Sequence, residues 1–223
     1  MSRAPARPER FVASLTGFRG LYAVTPDEPD IELLTRKVRK ALAGGAHIVQ
    51  YRSKSANAAL RREQGAALLA LCRNAGIPLI VNDDLDLALA IGADGLHLGR
   101  EDISISAARA QLGKGRLLGV SCYDRLELAL AARQAGADYV AFGSAFPSAT
   151  KPGATRAPLS LYREAKTRLD APIVAIGGVT TENAHTLVDA GVDAIAVISA
   201  LFDAPDVEAA ARGFSRLFDK KNP

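Results

Sequence analysis

Four times in this chain a helix-like stretch runs into glycine and then into an apolar segment: Ala43-Gly44-Gly45-Ala46-His47, Ile91-Gly92-Ala93-Asp94-Gly95, Ala135-Gly136-Ala137-Asp138-Tyr139 and Ala190-Gly191-Val192-Asp193-Ala194. Glycine suits the end of a helix because it takes the left-handed cap conformation without a Cβ clash. Two further segments, Ala75-Gly76-Ile77-Pro78 and Asp170-Ala171-Pro172, enter strands through proline. One helix-then-strand unit is therefore copied many times, which argues against two unrelated domains.

Apolar runs place strands near residues 21–24, 47–51, 79–81, 95–99, 117–120, 139–142, 173–176 and 194–198. Helical periodicity fills the gaps, near residues 31–42, 58–74, 85–91, 106–112, 126–135, 159–169, 182–190 and 207–218. Alternating units of this length predict an α/β fold, a (β/α)8 TIM barrel in a single domain over residues 19–223, preceded by an arm at 1–18. The spare segment at 199–202 fits the short phosphate-binding helix that such barrels often carry after strand 8. A doubly wound open sheet is the competing fold; it expects a Gly-rich phosphate turn after the first strand, and Leu21-Tyr22-Ala23-Val24-Thr25-Pro26 has none.

Composition narrows the function classes. With 223 residues, 48% of them hydrophobic, the chain can bury one large core. The formal charge of +4 comes from 28 Lys and Arg against 24 Asp and Glu, and Arg3, Arg7 and Arg10 against Glu9 carry half of that excess. Aromatics are only 5%, so the basic stripe with interleaved rings of a nucleic-acid surface is missing. No apolar run reaches the ~18 residues of a membrane span, and the first ten residues lack the apolar centre of a secretion signal. Cys72 and Cys122 have no metal-like spacing and suggest free thiols in a reducing cytoplasm.

Active sites of such barrels lie at the carboxyl ends of the strands. Strand 2 ends in Gln50, Arg52 and Lys54, strand 3 in Asn82, Asp83 and Asp84, and strand 4 in His97 followed by Asp102. Ser121 closes strand 5, the long loop at 143–157 carries Ser148, Thr150 and Lys151, and strands 7 and 8 close on Gly177-Gly178 and Ile198-Ser199. Asp83 or Asp84 and Asp102 could simply cap helices. Capping does not explain Arg52, Lys54 and Lys151, since a cation gains nothing from the positive end of the following helix. Two carboxylates from neighbouring strands suit Mg2+, which binds one or two protein carboxylates plus substrate phosphates. Cations beside such a metal suit a diphosphate, and the helix starts at Gly178 and Ser199 suit a single phosphate. The rim therefore predicts two phosphorylated small molecules, or one molecule with phosphates at both ends.

Gln50-Tyr51-Arg52-Ser53-Lys54, Asn82-Asp83, Gly95-Leu96-His97-Leu98-Gly99-Arg100-Glu101-Asp102, Gly119-Val120-Ser121, Thr150-Lys151, Ala175-Ile176-Gly177-Gly178-Val179 and Ala196-Val197-Ile198-Ser199 together resemble the thiamine-phosphate synthase family, over residues 20–202. That resemblance implies joining of 4-amino-2-methyl-5-(diphosphooxymethyl)pyrimidine to 4-methyl-5-(2-phosphoethyl)thiazole, with release of pyrophosphate. It implies that Gln50, Arg52, Lys54, Asn82, Ser121 and Lys151 contact the pyrimidine diphosphate, with Lys151, Arg52, Lys54 and Ser121 acting in catalysis. It further implies Mg2+ on Asp83 and Asp102, and thiazole phosphate on Ser148, Thr150, Gly178, Ile198 and Ser199. Ser148 departs from the threonine expected there. The residues contain no Ser-His-Asp or Cys-His set, and His97 reads as a structural hydrogen-bonding residue. A thiazole-phosphate tautomerase-like paralogue and a non-catalytic ligand-binding barrel stand as alternatives, and homo-oligomerisation stays open.

Overall fold

In the computed structural model, which describes residues 18–99, 102–147 and 155–219, eight parallel strands close on themselves in sequence order. The strands are β1 (Gly20–Val24), β2 (Ala46–Tyr51), β3 (Leu79–Asn82), β4 (Gly95–Leu98), β5 (Leu117–Tyr123), β6 (Tyr139–Phe142), β7 (Ile173–Ile176) and β8 (Ala194–Val197). Between them run α1 (Ile31–Ala43), α2 (Ala58–Ala75), α3 (Leu85–Ile91), α4 (Ile105–Leu112), α5 (Leu126–Gln134), α6 (Leu159–Arg168) and α7 (Ala184–Asp189). The short α8 (Ser199–Phe202) and the closing α9 (Val207–Asp219) follow β8. The barrel predicted from the repeated junction is present, including the spare helix after strand 8. No described helix is long and apolar enough to cross a membrane.

The repeated junction has a physical purpose on each side of its glycine. Gly92, at φ 72°, ends α3 in the left-handed conformation and its N–H caps the helix. Two residues later Asp94 reaches back to the neighbouring strand, and its carboxylate accepts the Leu79 N–H at 3.0 Å. Asp138 does the same for Leu118 at 2.7 Å and Asp193 for Ile173 at 2.8 Å. Each Gly-x-Asp thus stops a helix and pins the start of one strand to the next, at the end of the barrel opposite the predicted site.

Period-two alternation splits the apolar residues into two cores. Outward-facing positions such as Leu21, Val49, Val81, Leu96 and Val140 pack under the helices in one continuous cluster. Inward-facing Tyr22, Val24, Ile48, Ile80, Leu117, Tyr139, Val174 and Ala194 fill the barrel itself. Phe18, the last residue of the predicted arm, is buried against this inner cluster, its ring 4.5 Å from that of Tyr139.

Two boundaries differ from expectation by more than one residue, each for a local reason. β5 extends to Tyr123 rather than Val120, because a bulge between Ser121 and Tyr123 lets the strand continue its pairing with β6. α7 starts at Ala184 rather than near 182, because Asn183 Oδ1 takes the Thr180 N–H at 2.8 Å and holds residues 180–183 in a turn.

Candidate active site

All eight strands point their carboxyl ends at one mouth, and the chain's polar residues collect there. On the β2 side, Asp27 organises the loop after the strand. Its carboxylate accepts the backbone N–H groups of Lys54 and Ser55 and pairs with Arg52 Nη1 at 3.4 Å. Burial works against its charge, but these donors and the Arg52 guanidinium win and hold its carboxyl below the usual range. Behind Asp27, the fully buried Thr25 closes a reciprocal pair, accepting the Arg52 N–H at 2.9 Å and donating to the Arg52 carbonyl at 3.0 Å. Arg52 and Lys54, which lie beyond the end of β2, are thus presented by a loop tied down at several points.

The three consecutive polar residues after β3 divide their work. Asp84 caps α3, accepting the Leu87 N–H at 2.9 Å, and pairs with Arg61 at 3.3 Å. That leaves Asp83 free of capping. Its backbone sits at φ 62°, in the left-handed region that costs a non-glycine residue energy, and its N–H is held by the His97 carbonyl at 2.8 Å. Asp102 does not cap α4 either; Ser104 does, accepting the Ala107 N–H at 3.3 Å. Asp102 instead accepts the Gly99 N–H and turns to Asp83, with which it shares a side-chain hydrogen bond. A methyl placed on Gly99 would lie 3.2 Å from Asp102 Oδ2 and 3.9 Å from Asp83 Oδ1, so both carboxylates border one small space.

Partial loss of hydration, then the hydrogen bond to Asp102 and its charge, push the Asp83 carboxyl up to about 6, while Asn82 and Lys54 pull it back. Two carboxylates held together, Asp83 on a left-handed backbone, are the kind of oxygen donors that a hard divalent cation takes. Among the described residues no group of three or more His, Cys, Asp and Glu could hold a metal, so a cation at this pair would need oxygens from elsewhere.

Across the mouth, Gly177 and Gly178 follow β7. Gly178 has φ 64°, and a Cβ there would sit 2.4 Å from the Pro147 carbonyl oxygen. The loop after β6 therefore lies directly on this turn, fixed by bonds from Ala145 N to the Ile176 carbonyl and Phe146 N to the Gly177 carbonyl, both 2.9 Å. Asn183 Nδ2 donates to the Gly178 carbonyl at 2.9 Å, and the Gly178 N–H has no acceptor among the described residues. Ile198, at φ −112° and ψ −87°, turns the chain from β8 into α8, whose first residue Ser199 is exposed. Ser148, Thr150 and Lys151 lie outside the described residues.

Beneath the mouth, a hydrogen-bonded chain crosses the barrel. Gln50 Nε2 donates to the Tyr22 hydroxyl at 2.9 Å, the Tyr22 and Tyr139 hydroxyls meet at 2.8 Å, Tyr139 meets His97 Nδ1 at 3.1 Å, and His97 Nε2 meets Ser121 Oγ at 2.9 Å. Burial holds the His97 imidazole down at about 4, against the pull of Asp102, so it is neutral. Burial likewise pushes both tyrosines above their ordinary range. The β5 bulge aims Ser121 into this chain and turns Cys122 into the outer core.

A sequence-family model described as thiamine monophosphate synthase matches residues 21–201. The chain belongs to the thiamine monophosphate synthase family. Within that family it is 57% identical over 199 residues to the thiamine-phosphate synthase of Thiobacillus denitrificans, covering 89% of this chain and 94% of that protein. It is 54% identical to that of Aromatoleum aromaticum, covering 92% and 98%. The solved thiamine phosphate pyrophosphorylase of Pyrococcus furiosus superposes with a TM-score of 0.83 at 36% identity, over 93% of this chain and 98% of that one. The family membership implied by the quoted motifs is therefore shown, and with it an enzyme of the transferase class. Of the rim residues that the resemblance implies, Gln50, Arg52, Lys54, Asn82, Asp83, Asp102, Ser121, Gly178, Ile198 and Ser199 all stand at this one mouth. Sequence reading missed Asp27, Thr25, Tyr22 and Tyr139. The signal for the tyrosines was a phenol at an inward position of an apolar strand, where its hydroxyl must find a buried partner.

Proposed function

We propose that this chain joins 4-amino-2-methyl-5-(diphosphooxymethyl)pyrimidine to 4-methyl-5-(2-phosphoethyl)thiazole, releasing pyrophosphate and forming thiamine monophosphate. The observation that carries the reading is the division of the mouth. Tethered cations and a carboxylate pair stand on the β2 to β4 side, and a backbone N–H with no acceptor among the described residues stands with a helix start on the β7 to β8 side. Arg52 and Lys54, with Lys151 from the long loop, take the diphosphate. Gln50 and Asn82 orient the pyrimidine, and Ser121 donates to it or to the leaving oxygens. Ser148, Thr150, Gly178, Ile198 and Ser199 take the thiazole phosphate. The Asp83 and Asp102 pair fits Mg2+, which when bound would supply charge neutralisation on the diphosphate.

In the reaction the carbon to oxygen bond at the pyrimidine methylene breaks with its electron pair leaving on pyrophosphate, and the thiazole nitrogen lone pair forms the new carbon to nitrogen bond. The aminopyrimidine can share the positive charge, which suits a dissociative path. The protein's task is to hold cations where charge grows on the leaving oxygens. No group has to remove a proton from the thiazole nitrogen, which fits a rim whose one buried histidine is neutral and already occupied on both nitrogens. Cys72 and Cys122 take no part: burial pushes both thiols up to about 12, and two buried free thiols suit a reducing cytoplasm.

The test is a product assay with both substrates and Mg2+, with and without chelator, reading thiamine phosphate after oxidation to its fluorescent form. Metal-dependent product is expected, and Lys151→Ala should lower turnover on the order of 10²- to 10³-fold. Thermal stabilisation by both substrates without product would return the chain to a binding role.

A further inference from the structure

The hydrogen-bonded chain beneath the mouth has a direction, and donor counting sets it. Tyr22, Tyr139 and His97 are 1%, 0% and 7% exposed, so each of their protons needs an acceptor within the protein. Gln50 offers its amide nitrogen to Tyr22, and an amide nitrogen only donates. The Tyr22 oxygen therefore accepts there, and its own proton has one acceptor among the described residues, the Tyr139 oxygen. The Tyr139 proton is then directed to His97 Nδ1, which must carry no hydrogen. The imidazole proton sits on Nε2 and goes to Ser121 Oγ.

The opposite order fails with Gln50 placed this way. If Ser121 donated to His97, the imidazole would donate to Tyr139 and Tyr139 to Tyr22, and the Tyr22 proton would be buried with no acceptor among the described residues unless the Gln50 amide turned over to bring Oε1 to it. An imidazolium has the same fault.

We infer that Tyr22, Tyr139 and His97 are positioning residues that fix the proton order of this chain, so that Ser121 accepts from His97 and has its own hydroxyl proton left to present to substrate. The difference matters for an anionic substrate: a serine that spent its proton on His97 would turn lone pairs toward the diphosphate, whereas one that accepts from His97 can donate a charge-assisted bond. At the far end, the same order turns the Gln50 Oε1 away from Tyr22 as an acceptor for a substrate N–H. None of the three positioning residues exchanges a proton in the reaction. The inference rests on the proposed contact between Ser121 and the pyrimidine diphosphate.

Two measurements test it. The first needs no variant: long-range proton–nitrogen NMR of the imidazoles, where the chain has only three histidines, His47 and His185 are exposed, and comparison with His97→Gln assigns the third. A neutral His97 with hydrogen on Nε2 is expected. The second is a double-mutant cycle. Tyr139→Phe removes the donor to Nδ1 and should lower kcat about tenfold in the parent, the size of one misdirected hydrogen bond, but less than about twofold in a Ser121→Ala background. A hydrogen on Nδ1, or equal losses in both backgrounds, overturns the inference while leaving Ser121 in the site. Ser121→Ala activity within about twofold of the parent removes Ser121 from the site, and the inference falls with it.

Discussion

Gly119→Ala is the most direct probe of how the barrel interior supports its mouth. A Cβ at Gly119 would lie 2.0 Å from Tyr139 Cζ, 2.3 Å from its hydroxyl oxygen and 2.4 Å from Cε2. Ordinary carbon contacts are about 3.5–4.0 Å, so the ring must move by about 1.5 Å. It has nowhere to go cheaply, with the Phe18 ring 4.5 Å away and the His97 ring 5.6 Å away. A shift of that size also stretches the 2.8 Å and 3.1 Å bonds of its hydroxyl beyond useful length. Overpacking contributes about 1–3 kcal/mol and unpaired buried polar groups about 1–3 more. At roughly 2–4 °C per kcal/mol for a chain of this size, Tm should fall by about 5–20 °C by calorimetry. Gly115→Ala is the control, since nothing lies within 4 Å of a Cβ there. A Gly119→Ala Tm within about 2 °C of both parent and control would refute the account of Tyr139 as a tightly wedged ring.

Asp27→Ala should raise KM for the pyrimidine diphosphate about tenfold with a smaller change in kcat, because Arg52 and Lys54 lose the carboxylate that preorganises their loop; steady-state kinetics with each substrate varied in turn checks it. Asp84→Ala should cost about 1 kcal/mol of stability through its lost cap while leaving the Mg2+ response unchanged, whereas Asp102→Ala should weaken that response; denaturant melts and metal titration separate the two. Asp83→Asn should stabilise the metal-free protein at pH 8. Its folded carboxyl is raised from 3.8 to about 6, so the charged form is disfavoured on folding, and the stability present below 3.8 is lost as pH rises through about 6. Because Asp83 is exposed, solvent screening reduces the gain to about 1 kcal/mol. Urea melts should show that gain at pH 8 and little of it at pH 4, and an equal effect at both would detach it from the carboxylate's charge.

The barrel was legible because its signals are local. Gly-x-Asp junctions stop a helix and staple a strand within three residues of chain, and the apolar runs between them are too short for anything but a strand. What sequence could not yield were events that need a partner from another unit. The extension of β5 depends on a bulge against β6, and the late start of α7 depends on where the Asn183 amide points. Tyr22 and Tyr139 are 117 residues apart, and no periodicity announces that two inward phenols will meet.

The site was legible as a collection of residue types and opaque as a division of labour. Asp83, Asp84 and Asp102 each stood where a helix cap belongs, and residue type and spacing alone do not choose among them; the family resemblance singled out Asp83 and Asp102. The structure chooses by supplying other caps: Asp84 serves α3 and Ser104 serves α4. The two aspartates released from capping are the two that face each other. Releasing them costs stability twice, once through the left-handed backbone of Asp83 and once through the proximity of like charges. A fold gains nothing from that arrangement on its own account. A proton shared between the carboxylates relieves the repulsion at low pH, and a cation between them would relieve it at neutral pH, which is the reason the proposed function puts Mg2+ on this side of the mouth.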